Sequence, residues 1–446
     1  MMRSFRNASP FFWFIVSNGA MAVGTFAMID PNNSSHVVYS LLFFLSILVF
    51  VLVTAGYISK NNVIVDLKRF SVSGPVDDTA NAKMITGIMF AFCLLVTIAY
   101  YNAVGYNLLA SLFLGGGVED YSTMRISAYS GASDSGSQYF APGYVNQFKN
   151  VLLPMTAVAI AIWIRQSGNK LLFFGFCAFT IPAVILAVAG TGQRGYLFYT
   201  SGALFFSFVL HSLGRQGVKL RVAMLWGTPV VLLFLVMTAA YYGRSDQGAL
   251  IALRDTVMRF TSIQQVSGLA GFEYISGLDP QWFGDWLKAL RGILPGFEGS
   301  MIAHDIHAIL YGSYRGTAPL SPIGSAYYNG RILGVVFLFG ALGFFYARAY
   351  HIYLKGPRTV LRALGYGFMF FYMAMYLADS PVSLIDGGVL AVVIFLWLVQ
   401  IVSARHRLPT GRGAVHRPRA RGHFLGARAS RTGEAIRPNS GRSDWS

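Results

Sequence analysis

About ten apolar runs, each close to the length of a membrane-crossing helix, break up the sequence, and no other feature narrows the possible folds as much. A helix rises about 1.5 Å per residue against a hydrocarbon core about 30 Å thick, so roughly 20 mostly apolar residues make one crossing. The runs fall at 11–29, 37–58, 84–104, 151–164, 171–189, 196–213, 222–242, 332–350, 364–377 and 384–402, and the fourth and ninth are short enough to need flanking residues. With 54% hydrophobic and only 12% charged residues, lipid rather than water is the solvent for most of the chain. Cys93 and Cys177 both lie inside apolar runs, which excludes a disulfide framework and a thiolate metal site. The predicted fold is all-α, a polytopic membrane bundle of about ten transmembrane helices.

The formal charge of +17 acts through its placement. Arg3 and Arg6 precede the first run. Alternate connections then carry Lys60, Lys68, Arg69 and Lys83; Arg165 and Lys170; Arg215, Lys219 and Arg221; and Arg348, Lys355, Arg358 and Arg362, before an arginine-rich tail. Assigning all of these to the cytoplasm of a bacterial inner membrane puts both termini there, with most of the 35 Lys and Arg on that side and most of the 18 Asp and Glu on the other. The first run also fits a signal peptide, with Ala20-Met21-Ala22 as the cleavage site, and the later orientation is the same either way. Residues 1–403 form the expected bundle, with long outer segments at 105–150 and 243–331. The inner loop at 61–83 lacks apolar periodicity, and 404–446 reads as a disordered basic tail held near anionic headgroups rather than on nucleic acid. No inverted internal repeat is visible, and the spans carry almost no interior charge, Asp379 and Asp386 lying at outer helix ends.

Apart from Lys149 and Lys288, the outer basic residues are arginines: Arg125, Arg194, Arg244, Arg254, Arg259, Arg291, Arg315 and Arg331. A guanidinium meets two phosphate oxygens at once and keeps its charge beside a membrane, which suits a lipid-linked diphosphate at the outer headgroups. An arginine near a helix end also snorkels to headgroups or pairs with a carboxylate, as Asp255 and Arg259 at i,i+4 would. Arg194 stands apart, because Gly190-Thr191-Gly192-Gln193-Arg194-Gly195 reverses the chain between two spans and sets a charge at the mouth of the bundle, where glycines admit a ligand close to the backbone. Arg244 follows the seventh span in Tyr241-Tyr242-Gly243-Arg244, at the same headgroup plane.

In the larger outer segment, apolar residues at i, i+3, i+4 and i+7 over 284–295 predict a short amphipathic helix on the membrane surface, ended by Pro295. Glu298 follows, then His304-Asp305-Ile306-His307, where a helix sets His304, His307 and Tyr311 on one face and gathers most of the segment's proton-transfer groups. The histidines serve either as a structural pair or as substrate contacts, and zinc would want a third ligand that is not evident. Two prolines and exposed Tyr327 and Tyr328, beside Asn329, make 317–331 a rigid lip with aromatic faces for sugar rings. Tyr121, Tyr129, Tyr139 and Tyr144 give the first outer segment a similar character, which interface anchoring also explains.

The many-span layout, the turn at 190–195, and the lip running through Tyr327-Tyr328-Asn329-Gly330-Arg331-Ile332-Leu333-Gly334 into a span resemble the Wzy-type oligosaccharide repeat-unit polymerases of O-antigen and exopolysaccharide pathways, over most of the chain to about Val402. The resemblance implies a GT-C-like bundle that joins undecaprenyl-diphosphate-linked oligosaccharides at the periplasmic face, without nucleotide sugar, metal or other cofactor, among membrane lipid and with a chain-length regulator as partner. A hydroxyl of one unit would attack the anomeric carbon of the growing chain, whose lipid diphosphate leaves. Arg194 and Arg244 are then the first candidates to neutralise that leaving group, and Glu298, His304 or Asp305 the base. Arg125, Arg259, His307, Tyr311, Arg315, Tyr328 and Arg331 are the expected substrate contacts. The nearest alternative is an O-antigen ligase or another lipid-linked glycosyl transferase. A secondary transporter or flippase is the rival from a different class, and would carry intramembrane charges, midplane Gly or Pro breaks and repeated halves.

Overall fold

A computed structural model describes residues 4–5, 9–105, 107, 109–110, 145–192, 194–212, 218–219, 264–294, 297–314, 317–375 and 380–405. Helix ends follow local chemistry. α1 (Pro10–Phe26) opens on a proline, which lacks the N–H a first turn cannot use. The Asn33 side chain caps α2 (Ser34–Lys60), and after α3 (Val63–Val72) the Thr79 hydroxyl caps α4 (Ala80–Val104), which stops at Gly105 with φ +75°. A π-helical turn, Gln147–Leu152, runs without a break into α5 (Leu153–Gln166). Asn169 caps α6 (Lys170–Ala189), and a tight turn leads to α7 (Arg194–His211). Beyond come α8 (Gln264–Ser276), α9 (Gly284–Arg291), α10 (Ile302–Tyr311), the long α11 (Pro322–Lys355) capped by Ser321, α12 (Val360–Ala374) capped by Thr359, α13 (Ser383–Asp386) and α14 (Val389–Arg405). A two-residue antiparallel pairing of β1 (Ser4–Phe5) with β2 (Val218–Lys219) is the exception to helix among the described residues.

The helices are built inside out relative to a water-soluble protein. On α2, Leu41, Phe44, Leu48 and Leu52 follow one another at helical spacing and are more than half exposed, while Tyr39, Leu42, Ser46, Phe50 and Thr54 form the buried stripe. On α4 the outward stripe is Met84, Ile88, Leu95 and Ile98, and the buried stripe holds Thr86 and Thr97, whose hydroxyls bond their own helix at Ala82 O and Cys93 O. Continuous apolar surfaces of this size are stable against hydrocarbon and not against water. Five described helices are long and apolar enough to cross a membrane: α2, α4, the Gln147–Gln166 helix, α6 and α11. α1, α12 and the Val389–Ser403 stretch of α14 are shorter apolar helices. The protein is thus a membrane protein of apolar helices.

α11 packs along α2, and α7 along α12, with α4, α5, α6 and α14 completing a layer beside them. Phe14 of α1 stacks on Phe50 of α2 at 3.8 Å, and both meet the edge of Tyr346 on α11. Polar ties gather at two ends. At one, the buried Arg358 donates to His211 O and Ser73 O and lies over Phe70, Asp78 accepts from Trp163 Nε1 and the Leu361 N–H, and His351 meets Asp66 at 3.0 Å. At the other, Asn33 reaches Glu273, Ser35 meets Ser276, Tyr39 donates to Ser321, and Asn146 donates to Tyr196. The first group belongs to the connections read as cytoplasmic, the second to those read as outer. α7 ends at the first and α8 packs at the second.

The expected apolar runs are helical over most of their described length, although the first leaves the helix after Phe26 and the tenth is interrupted at Gly387–Gly388; the seventh at 222–242 lies outside the described residues, as does all but the start of the tail at 404–446. Three boundaries differ. The loop at 61–83 contains α3, because Val63 and Phe70, one helical stripe apart, bury against the bundle. The first outer segment ends before residue 145, where polar Asn146 and Asn150 are already buried. The expected lip at 317–331 is helical over 322–329, its Ile323, Ser325, Ala326 and Asn329 are buried, and Tyr327 and Tyr328 are half-buried rather than exposed; the non-helical Gly330 and Arg331 then separate this short helix from the apolar one that starts at 332, where the eighth run begins.

Candidate functional site

The turn at Gly190–Gly192 closes over a buried polar cluster. Gly190 has no room for a side chain, since a Cβ would collide with Leu186 O, the Asn107 amide and the Tyr101 hydroxyl, and Gly192 takes φ +75° to return the chain into α7. Tyr101 donates to Ala187 O at 2.8 Å and Asn107 to Leu186 O at 3.1 Å, so the end of α4 and the start of the outer segment hold the last turn of α6. The Thr191 hydroxyl is buried with no hydrogen-bond partner among the described residues.

Beneath this turn the Gln147–Leu152 π-turn sets Lys149 fully inside, at 0% exposure. Its Nζ donates to Asn150 Oδ1 at 3.2 Å and lies over the rings of Tyr100, Tyr101 and Tyr196 at 5.2, 5.9 and 5.6 Å. No carboxylate among the described residues reaches it. Asn146 bridges Tyr196 and Asn150, and Asn150 O accepts from Thr200 on α7. Burying an ammonium without a counter-charge costs several kcal/mol, which aromatic faces and a single hydrogen bond offset only in part. Such a lysine within a helix of membrane-crossing length is a functional feature, and a π-turn is a common way of presenting one.

A second cluster occupies the outer segment. Asp285 is buried at the start of α9, where Ser300 donates to its Oδ1 at 2.5 Å and Asn329 approaches Oδ2 at 3.5 Å. Asn329 also accepts from the Trp286 N–H and donates to Ser325 O, and the Trp286 indole donates to Ser325 Oγ. Directly after Asn329 the long helix breaks: Arg331 sits at φ +51°, ψ −140°, stacks over Tyr327 at 4.9 Å and donates to Leu278 O. Trp282, Phe283 and Ser321 around it also take positive φ, and backbone strain of this kind gathers at functional sites.

The expected site residues divide accordingly. Arg194 begins α7 at the turn, with its side chain outside the described set, and Arg125, Arg244, Arg259 and Arg315 lie wholly outside the described residues. Glu298 is exposed between α9 and α10. Asp305 is in the first turn of α10. His304 Nδ1 is 3.3 Å from Tyr314 O and His307 Nδ1 2.5 Å from Ser313 O, and the His307 ring lies 4.8 Å from that of Tyr311. A carbonyl can only accept, so Nδ1 is the donor in each of these contacts and Nε2 is the nitrogen left to face another group. Tyr328 and Arg331 flank the helix break, with Arg331 engaged in holding it. No group of three metal-ligating side chains occurs among the described residues. Sequence reasoning passed over Lys149 and Asp285, and it placed Asn329 on a lip, whereas its side chain is fully buried and bonded within the protein. For Lys149 a signal was present: the run at 151–164 is too short to span, and extending it backward draws the lysine into the membrane. Its burial also corrects the expectation that the spans hold almost no interior charge.

Comparison with protein-family models, with curated proteins and with solved structures found no match.

Proposed function

We propose that this chain crosses the bacterial inner membrane about ten times with both termini cytoplasmic, and polymerises undecaprenyl-diphosphate-linked oligosaccharide repeat units at the periplasmic face. The observation that carries this reading is the sharing of one bundle end by the Gly190–Gly192 turn, with Arg194 opening α7, and the outer segment that bears His304 and His307. An arginine at the first would supply positive charge for a leaving diphosphate, and the histidines of the second would supply imidazole nitrogens for proton transfer.

In the reaction the acceptor sugar hydroxyl forms a new C–O bond at the anomeric carbon of the growing chain. The bond from that carbon to the diphosphate oxygen breaks, and its electron pair leaves with undecaprenyl diphosphate. The hydroxyl proton passes to a base, for which His304 Nε2, Asp305 and Glu298 are the candidates. Arg194 and Arg244 neutralise the departing diphosphate, where a guanidinium fork matches two oxygens at once. Membrane lipid and a chain-length regulator would be its companions.

A chromosomal Arg194→Ala substitution tests the reading, with protein in the membrane at its normal level. The polysaccharide ladder should collapse to a single repeat, while an undiminished ladder removes the arginine from the mechanism. Loss of every capped species, the single repeat included, would assign the chain to ligation instead.

A second reading has one observation in its favour. Buried Lys149 within a helix of membrane-crossing length is a feature that ion-coupled carriers use, so a transporter or flippase would be supported if the variant cells accumulated unexported lipid-linked repeats on the cytoplasmic face.

A further inference from the structure

Two groups at the turn end of the bundle are buried without full partners among the described residues, Lys149 under the tyrosine rings that border the turn and Thr191 within it. Lys149 has three N–H donors and one acceptor, Asn150 Oδ1, with no carboxylate in reach among the described residues. Thr191 is 2% exposed and its hydroxyl has no partner there. Two of the three rings that shelter Lys149 bracket the turn: the Tyr101 hydroxyl abuts Gly190, and Tyr196 lies just beyond Arg194 on α7. Thr191 therefore sits on the short stretch of chain between them, ahead of the N-terminus of α7, where backbone N–H groups favour an anion.

We infer that Lys149, the Thr191 hydroxyl and the backbone of the Gly190–Gly192 turn form a subsite for one phosphate group of a polyprenyl diphosphate, reached at the membrane end of the bundle. That the anion is a polyprenyl diphosphate rests on the polymerase reading; that an anion belongs here rests on the geometry alone. The tyrosine faces hold the ammonium while the subsite is empty, and its flexible four-carbon stem lets it turn toward phosphate oxygens when they arrive. Gly190 is required because any side chain would fill the space against Tyr101 and Asn107 that keeps the turn close to the cluster.

The test is binding of farnesyl diphosphate to the purified full chain in detergent, with Lys149→Met, Lys149→Arg and Thr191→Val beside the parent, and Lys288→Met as an exposed control. Lys149→Met should weaken binding roughly ten- to a hundred-fold, the size of a charge-assisted contact, with partial recovery in Lys149→Arg and a smaller loss in Thr191→Val. Lys149→Met should also melt higher than the parent without ligand, since it replaces a buried charge by an apolar chain of similar length. Parent-like binding by Lys149→Met, or a lower melting midpoint, overturns the subsite while leaving the polymerase reading intact. Failure of the parent itself to bind farnesyl diphosphate overturns both. Inorganic diphosphate should compete, and equal competition by phosphatidylglycerol at matched phosphate would mark a general headgroup site and overturn the assignment.

Discussion

Asn329 completes three contacts from a position with no exposure, accepting from the Trp286 N–H and donating to Ser325 O and toward Asp285. Asn329→Ala leaves the Trp286 N–H without its acceptor and Asp285 with Ser300 alone, so a loss of about 1–3 kcal/mol is expected, read as a lower melting midpoint in detergent and faster tryptic cutting at Lys288 and Arg291. Asp78 belongs to the opposite end, outside the membrane-spanning helices. Burial raises its carboxyl above the ordinary value, against the lowering effects of hydrogen bonds from Thr359, Leu361 and Trp163 and the charge of Lys83. Between the ordinary and the raised value the folded chain keeps a proton that the unfolded chain has shed, so stability should fall as pH rises through that window and level off above it. Asp78→Asn, which preserves the shape and an acceptor, should flatten that slope in melts recorded from about pH 4 upward. At this scale the sequence was only half legible. The spacing of His304, His307 and Tyr311 announced a shared helix face, but the carbonyls of Ser313 and Tyr314 that orient the two rings depend on how the following turn folds back.

Helix seams are set by glycine. A Cβ on Gly367 would run into Ser207, and one on Gly202 into the Phe371 ring, so α7 and α12 approach as closely as backbones without side chains allow. Gly367→Ala should cost about 1–3 kcal/mol by overpacking, whereas Gly175→Ala on α6, where nothing lies within 4 Å, should leave the melting midpoint unchanged or slightly raised. The apolar runs announced the helices well because lipid-facing stripes dominate hydropathy. They placed the ends less well, for a related reason: Asn146, Lys149 and Asn150 ahead of α5, and Ser325 and Asn329 at the start of α11, are polar side chains buried with partners, which a count of apolar residues assigns to loops. The break at Gly330–Arg331 was equally hidden, because a positive φ at arginine answers to Leu278 O and Tyr327 rather than to any local preference.

For the molecule as a whole, alternation of basic connections assigned each loop a side, and the ties of Arg358 to residues 73 and 211 and of Asn33 to Glu273 each join segments given the same side. Sidedness can be read chemically. In a background with Cys93 and Cys177 replaced by alanine, a cysteine at exposed Asp279 should react with an impermeant maleimide in intact spheroplasts, and one at exposed Lys68 only after permeabilisation. The reverse pattern would put the Lys149 cluster at the cytoplasmic face and sink periplasmic chemistry. Arg358 has a consequence in time as well as space. It lies late in the sequence, yet its guanidinium fastens segments near residues 70–73 and 211 that leave the ribosome long before it. Those earlier helices therefore wait as an unlatched assembly until Arg358 is made, and a nascent chain terminated short of this arginine would present quality-control proteases with an open seam at that edge of the bundle.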